Sequence, residues 1–189
     1  MKNPSALVKK ALRFATEKHK GQYRKGGKIS YIKHPIKVAL GVQIYTKDEE
    51  VISAALLHDV LEDCSDVSSH ILQKEFGSRV AQLVNEISTI KTKRGLTWKR
   101  KKKIYLEKIK KASRDALIIV AVDKMHNLQA YFDDLKIKGG AWSKYFGGTS
   151  SEYKWYYTEV ETILSSKLGK HPVVKDYSAV WQLYKNENL

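Results

Sequence analysis

The chain has 189 residues, with 35 Lys and Arg against 20 Asp and Glu, so its formal net charge of +15 favours anionic partners such as nucleic acid or phosphorylated small molecules. Its 42% apolar and 10% aromatic residues argue against an intrinsically disordered chain, and its one cysteine, Cys64, excludes an intramolecular disulfide framework or a multi-cysteine zinc site. No apolar run approaches the roughly 20 residues that cross a bilayer, and the N-terminal stretch lacks the apolar centre of a secretory signal, so a cytoplasmic protein with no membrane partner is expected.

Taken in chain order, the pattern is helix after helix. Leu7, Ala11, Phe14 and Ala15 share one face of a first helix that runs to about His19, with Ser5 as its N-cap. Gly21, Gly26 and Gly27 mark a loop up to Lys33. Pro35 then suits a first helical turn, and Ile36, Val38, Ala39 and Val42 give the next stripe. Asp48 caps a helix carrying Val51, Ile52, Ala55 and Leu56 down to His58-Asp59. Shorter helices are predicted over Ser69–Phe76 and Ser78–Ile87, broken at Gly77.

Lys91–Arg94 with Gly95 reads as a loop, and Thr97 caps a charged helix over Trp98–Lys111. The run ALIIVAV within 116–136 is rich in β-branched residues and also fits a strand; its continuation DKMHNLQAYF returns to helical spacing and decides for a helix. Gly139-Gly140 and Gly147-Gly148 punctuate a loop before helices over Glu152–Leu168 and Val174–Asn186. One all-α domain over residues 1–189, a bundle of about eight to ten helices, is expected.

Four polar residues, His58, Asp59, Glu62 and Asp63, close the apolar helix, with helical spacing placing His58 over Glu62 and Asp59 over Asp63. Imidazole beside carboxylate suits a divalent transition metal, without choosing between manganese, iron and zinc. His34 stands at a helix start, and Asp123 follows an apolar run that should bury it, where an unpartnered carboxylate would cost several kcal/mol. The candidate metal shell is His34, His58, Asp59 and Asp123. Each has a blander reading alone: a helix-end cap, a satisfied loop histidine, or a carboxylate paired with Lys124 or Arg114. Together, such groups after ISAALLH have little structural purpose.

The segments YIKHP (Tyr31–Pro35), AALLHDVLED (Ala54–Asp63), Phe76–Ser88 and VAVDKMHNL (Val120–Leu128) resemble, in order and spacing, the hydrolase domain of the RelA/SpoT alarmone enzymes and their small stand-alone relatives. The resemblance covers about residues 4 to 160 and implies an all-α HD fold. It implies a manganese-dependent pyrophosphohydrolase that removes the 3′-diphosphate of guanosine tetra- and pentaphosphate. On that resemblance His34, His58, Asp59 and Asp123 are metal ligands, and Glu62 and Asp63 are the acidic pair that activates the attacking water. Arg24 and Lys25 pack on the base, and Asn127 contacts the nucleotide.

Gly26 and Ile29-Ser30 depart from the usual loop pattern, and Ala130 stands where many relatives have threonine. Both differences bear on how guanine is read. The basic run Trp98–Lys103 has three readings: a solvated helix face, a rim that attracts the substrate's phosphates, or non-specific nucleic-acid contact.

Overall fold

The computed structural model describes residues 4–24, 29–89, 95–138 and 147–185; among these the regular structure is helical, with a single antiparallel bridge between Tyr23 and Ser30. Ten helices follow one another: α1 Ala6–Lys18, α2 Lys33–Tyr45, α3 Glu49–Leu57, α4 Val60–Asp63, α5 Ser69–Phe76, α6 Ser78–Ile87, α7 Trp98–Ile109, α8 Arg114–Lys138, α9 Ser150–Leu168 and α10 Pro172–Lys185. The expected all-α class holds. Lys25, Gly26, Gly27, Lys91–Arg94, Gly139-Gly140 and Asn186 lie outside the described residues. The chain forms two compact units, residues 1–89 and 90–189.

In the first unit, capping fixes where helices begin. Ser5 Oγ accepts from the Val8 amide at 3.3 Å, and Asp48 Oδ1 accepts from Glu50 and Val51 at 2.9 and 3.4 Å. Each bond satisfies an amide that a helix start leaves without a backbone partner. Every residue of α3 from Val51 to Leu57 is buried, with α1, α2 and α6 packed around it. Burial of a leucine such as Leu57 contributes about 2 kcal/mol, which holds this helix as a fixed support. Gly77, at φ 89°, adopts a left-handed conformation that side chains disfavour, and so separates α5 from α6.

The helix does not continue from α3 into α4 as the spacing predicts. His58 Nδ1 donates to the Ala55 carbonyl at 2.8 Å, beside the place where the next backbone amide would bond. The amides of Glu62 and Asp63 instead return to the Asp59 carbonyl at 3.1 and 3.0 Å. The resulting turn buries His58 and leaves Glu62 and Asp63 exposed. The break between α3 and α4 interrupts the regular stacking of His58 over Glu62.

In the second unit, Ala116 to Val122 are all buried within α8, and ALIIVAV is helical. The helix cost of β-branched residues is only some tenths of a kcal/mol each, less than their burial returns. α9 and α10 pack against α8. Thr149 and Glu152 form a capping box at the start of α9, while Arg114 donates to the carbonyls of Lys167 and Leu168 at its other end. On α7, Lys99, Arg100, Lys101 and Lys103 are exposed, but Lys102 lies 4.8 Å above the Tyr156 ring. The basic run is therefore not one uniform solvated face. No helix of the described residues is long and apolar enough to cross a membrane.

Trp98 stacks on Tyr153 at 4.5 Å, and a Cβ placed at Gly148 would lie 2.8 Å from indole atoms Cδ2 and Cε3. Gly148→Ala must push the ring against its tyrosine neighbour. We expect a loss of about 1–3 kcal/mol, the usual cost of overpacking, read from urea unfolding. An unchanged midpoint would show that Trp98 is not confined.

Candidate metal centre

Three donors converge in the first unit. His58 Nε2 lies 3.0 Å from Asp59 Oδ2, His34 Nε2 lies 3.5 Å from the same oxygen, and the two ring nitrogens are 3.2 Å apart. His34 comes from the first turn of α2, and His58 and Asp59 from the turn between α3 and α4. Both histidines are nearly sealed from solvent, at 2% and 5% exposure.

The tautomer of His58 follows from its other nitrogen. A carbonyl oxygen only accepts, so the bond to Ala55 places the proton of the neutral ring on Nδ1 and leaves Nε2 as an acceptor. His34 Nε2, 3.2 Å away, can meet it with its own proton, and a cation held between the three groups would take that proton's place. Two donors sharing one cation with bonds of about 2.1 Å stand roughly 3–3.4 Å apart, depending on coordination geometry, so the trio fits a divalent ion. The carbonyl brace is also the arrangement that orients a ligating imidazole.

The acidic pair lies beside this trio. Tyr31 donates its hydroxyl proton to Asp59 Oδ2 at 2.7 Å. Partial burial of the Asp63 carboxyl and the neighbouring Asp59 charge push its pKa up, against the opposing effect of Tyr31. Glu62 Oε1 accepts from the Thr89 amide at 2.5 Å, just beyond α6. Glu62 thus has a structural bond in addition to any chemical role.

Asp123 belongs to the second unit and has partners there. Lys124 Nζ donates to Oδ2 at 2.5 Å and Asn127 Nδ2 to Oδ1 at 2.6 Å. Of the two cations offered by the sequence, Lys124 is the one that pairs with it, since Arg114 closes the end of α9. Burial disfavours the Lys124 charge, but Asp123, Tyr105 and Tyr156 outweigh it, so its pKa stands well above the ordinary lysine value. The ammonium also sits 5.0 Å over the Tyr105 ring.

Sequence reasoning took Lys124 only as an uneventful partner and gave Tyr31 no role. The clue to Lys124 was its place beside a carboxylate after seven apolar residues, while Tyr31 carried no signal beyond standing three residues before His34. Arg24 is half-buried in the loop whose ends meet at the Tyr23–Ser30 bridge, with its amide bonded to Ile29 O at 3.0 Å. Lys25 is outside the described residues.

Residues 11–138 match the HD domain family. The chain is 36% identical over 132 residues to the guanosine-3′,5′-bis(diphosphate) 3′-pyrophosphohydrolase MESH1 of Xenopus tropicalis, spanning 68% of this chain and 72% of that protein. It is 38% identical over 129 residues to the MESH1 of Drosophila melanogaster, spanning 67% of this chain and 70% of the relative. A solved structure described as a metazoan ortholog of SpoT that hydrolyzes ppGpp superposes with a TM-score of 0.73 at 29% identity, covering 97% of this chain and 98% of that one.

The Lys124–Asp123 pair is checkable without any ligand. Lys124→Met keeps much of the side chain's apolar length but leaves the buried Asp123 carboxylate without its cation. Breaking a buried pair from one side costs about 3–5 kcal/mol, and a loss of that order is expected in urea unfolding of metal-free protein at neutral pH. A loss below about 1 kcal/mol, the range of an exposed pair, would contradict the pairing.

Proposed function

The chain belongs to the HD-domain family and is a hydrolase of that type; from this premise we propose that it releases diphosphate from guanosine 3′,5′-bis(diphosphate)-type nucleotides, with manganese as its cation. The observation that carries the reading is the convergence of His34, His58 and Asp59 on one point, in a chain whose relatives are named for hydrolysing that ester. The family resemblance adds Asp123 as a fourth ligand. The HD match draws on residues of both units, which supports treating residues 1–189 as one functional domain.

A divalent cation held by such ligands supplies charge to a phosphoryl oxygen and makes a neighbouring water more acidic. The remaining tasks fall to the chain itself. Glu62 and Asp63 are exposed next to the trio and are assigned to orient the attacking water and accept its proton. Attack at the phosphorus bonded to the 3′ oxygen breaks the ester and gives diphosphate and a free 3′-hydroxyl.

Arg24 and Lys25 are assigned to the base, where a planar guanidinium can stack on a purine. Asn127 is assigned to the nucleotide and already braces Asp123 through one N–H. Another phosphorylated nucleotide would use the same centre. A nucleic-acid module on an HD scaffold would leave the buried trio without a purpose and is the weaker reading.

The discriminating assay starts with metal-free protein and guanosine tetraphosphate, adds manganese, and follows diphosphate release. Release on addition of manganese is expected. Turnover of other nucleotides without it would remove the alarmone assignment and leave the hydrolase. Asp59→Ala should lose both manganese binding and turnover. Glu62→Gln, which keeps an oxygen for the Thr89 amide, should retain manganese and lose about a hundredfold or more in kcat, the range for general acid–base groups. Normal turnover by Asp59→Ala would show that the centre is misassigned.

A further inference from the structure

Tyr31 stands where α2 begins, and its surroundings exceed what packing requires. Its ring lies 5.0 Å from His19 and 6.0 Å from His34, so it is held between the end of α1 and a candidate ligand. Its hydroxyl reaches Asp59 Oδ2 at 2.7 Å, the oxygen that both imidazoles face. One phenol therefore holds the carboxylate oxygen at which the candidate ligands meet.

The backbone around it is equally constrained. The Tyr31 amide donates to Gln22 O at 3.0 Å, and its carbonyl accepts from the His34 amide at 2.9 Å. Gln22 Nε2 donates to the Asp63 carbonyl at 3.1 Å, and Gln22 Oε1 is 2.7 Å from His19 Nδ1. An amide oxygen only accepts, so His19 Nδ1 carries a proton and braces Gln22. His19 is fully buried, and its Nε2 meets no hydrogen-bond partner among the described residues. His19, Gln22 and Tyr31 form a support that meets Asp59 and Asp63 from the side of α1.

We propose that Tyr31 is a positioning residue of the metal centre: its hydroxyl fixes the Asp59 carboxylate toward the two imidazoles. The inference rests on the metal-centre reading above. Asp59 leads out of the turn after α3, where its own backbone gives little restraint to the carboxyl group. Without the phenol that group can rotate away from the histidines. A cation would then have to order it on binding, which weakens affinity. Loss of a hydrogen-bond partner behind a metal ligand typically costs about 10–100-fold in metal affinity or activity.

Tyr31→Phe removes only the hydroxyl and keeps the ring contacts with His19 and His34. Manganese binding to metal-free protein is measured by calorimetry, beside the unfolding midpoint of the same metal-free samples. The expected result is a manganese Kd raised about tenfold or more, with the metal-free midpoint little changed. The guanosine tetraphosphate assay should show a lower kcat and an unchanged KM. Binding is compared well below the variant's own midpoint, so modest destabilisation does not hide the effect.

Equal manganese affinity for wild type and Tyr31→Phe overturns the positioning role while the metal centre stands. A weakened affinity that is fully restored at a lower temperature, in step with refolding, also overturns it. No manganese binding by the wild type removes the metal centre itself and the proposal with it.

Discussion

The meeting of three metal-binding atoms at one point is the constraint on which the first unit depends. His34 Nε2, His58 Nε2 and Asp59 Oδ2 stand within 3.0–3.5 Å of one another, and the histidines are almost without solvent. His58 Nε2 and Asp59 Oδ2 both present lone pairs there, so a proton or a cation must lie among them, and burial raises the cost of leaving them without one because water cannot screen it. The surroundings make sense as a means of holding that cluster in place. α3 is buried from Val51 to Leu57 and anchors its end. His58 then donates its Nδ1 proton to the Ala55 carbonyl where the helix ends.

The chain braces its two candidate carboxylates differently. Asp59 meets a phenol, which orients it without cancelling its charge. Asp123 meets an ammonium and an amide, one on each oxygen, so its charge is already balanced within the second unit. Asp59 thus keeps its charge beside the two imidazoles, whereas the Asp123 charge is already engaged by Lys124. Lys124 is thus an electrostatic counterweight, where the sequence offers only a neighbouring basic residue.

The helices and most of their limits were legible because their signals are local. Ser5, Asp48, Gly77 and Thr97 act through bonds or torsions within a few residues, and each ends or begins a helix where expected. The capping box Thr149–Glu152 and the first-turn Pro172 carried equally local signals, which set the true starts of α9 and α10. His34, His58 and Asp59 were legible as a set from their chemistry. The break between α3 and α4 was not, because the helical spacing continues through it. Tyr31 was hidden for a related reason: its hydroxyl acts across 28 positions of sequence, and no periodicity records that distance.

The acidic pair raises a problem that net charge helps to resolve. In the proposed reaction Glu62 and Asp63 must be anionic to take a proton from water, yet a nucleotide with two diphosphates is repelled by exposed carboxylates. A cation at the trio offsets that repulsion only at short range, since exposed charges are screened beyond about 8–10 Å at physiological salt. The formal charge of +15 acts earlier, raising the encounter rate of any polyanion with the surface as a whole. Lys99, Arg100, Lys101 and Lys103 belong to that field, while Lys102 is withdrawn from it onto Tyr156. The division is consistent with the proposed function: diffuse positive charge attracts polyanions, and His34, His58 and Asp59 are grouped where one cation could be held.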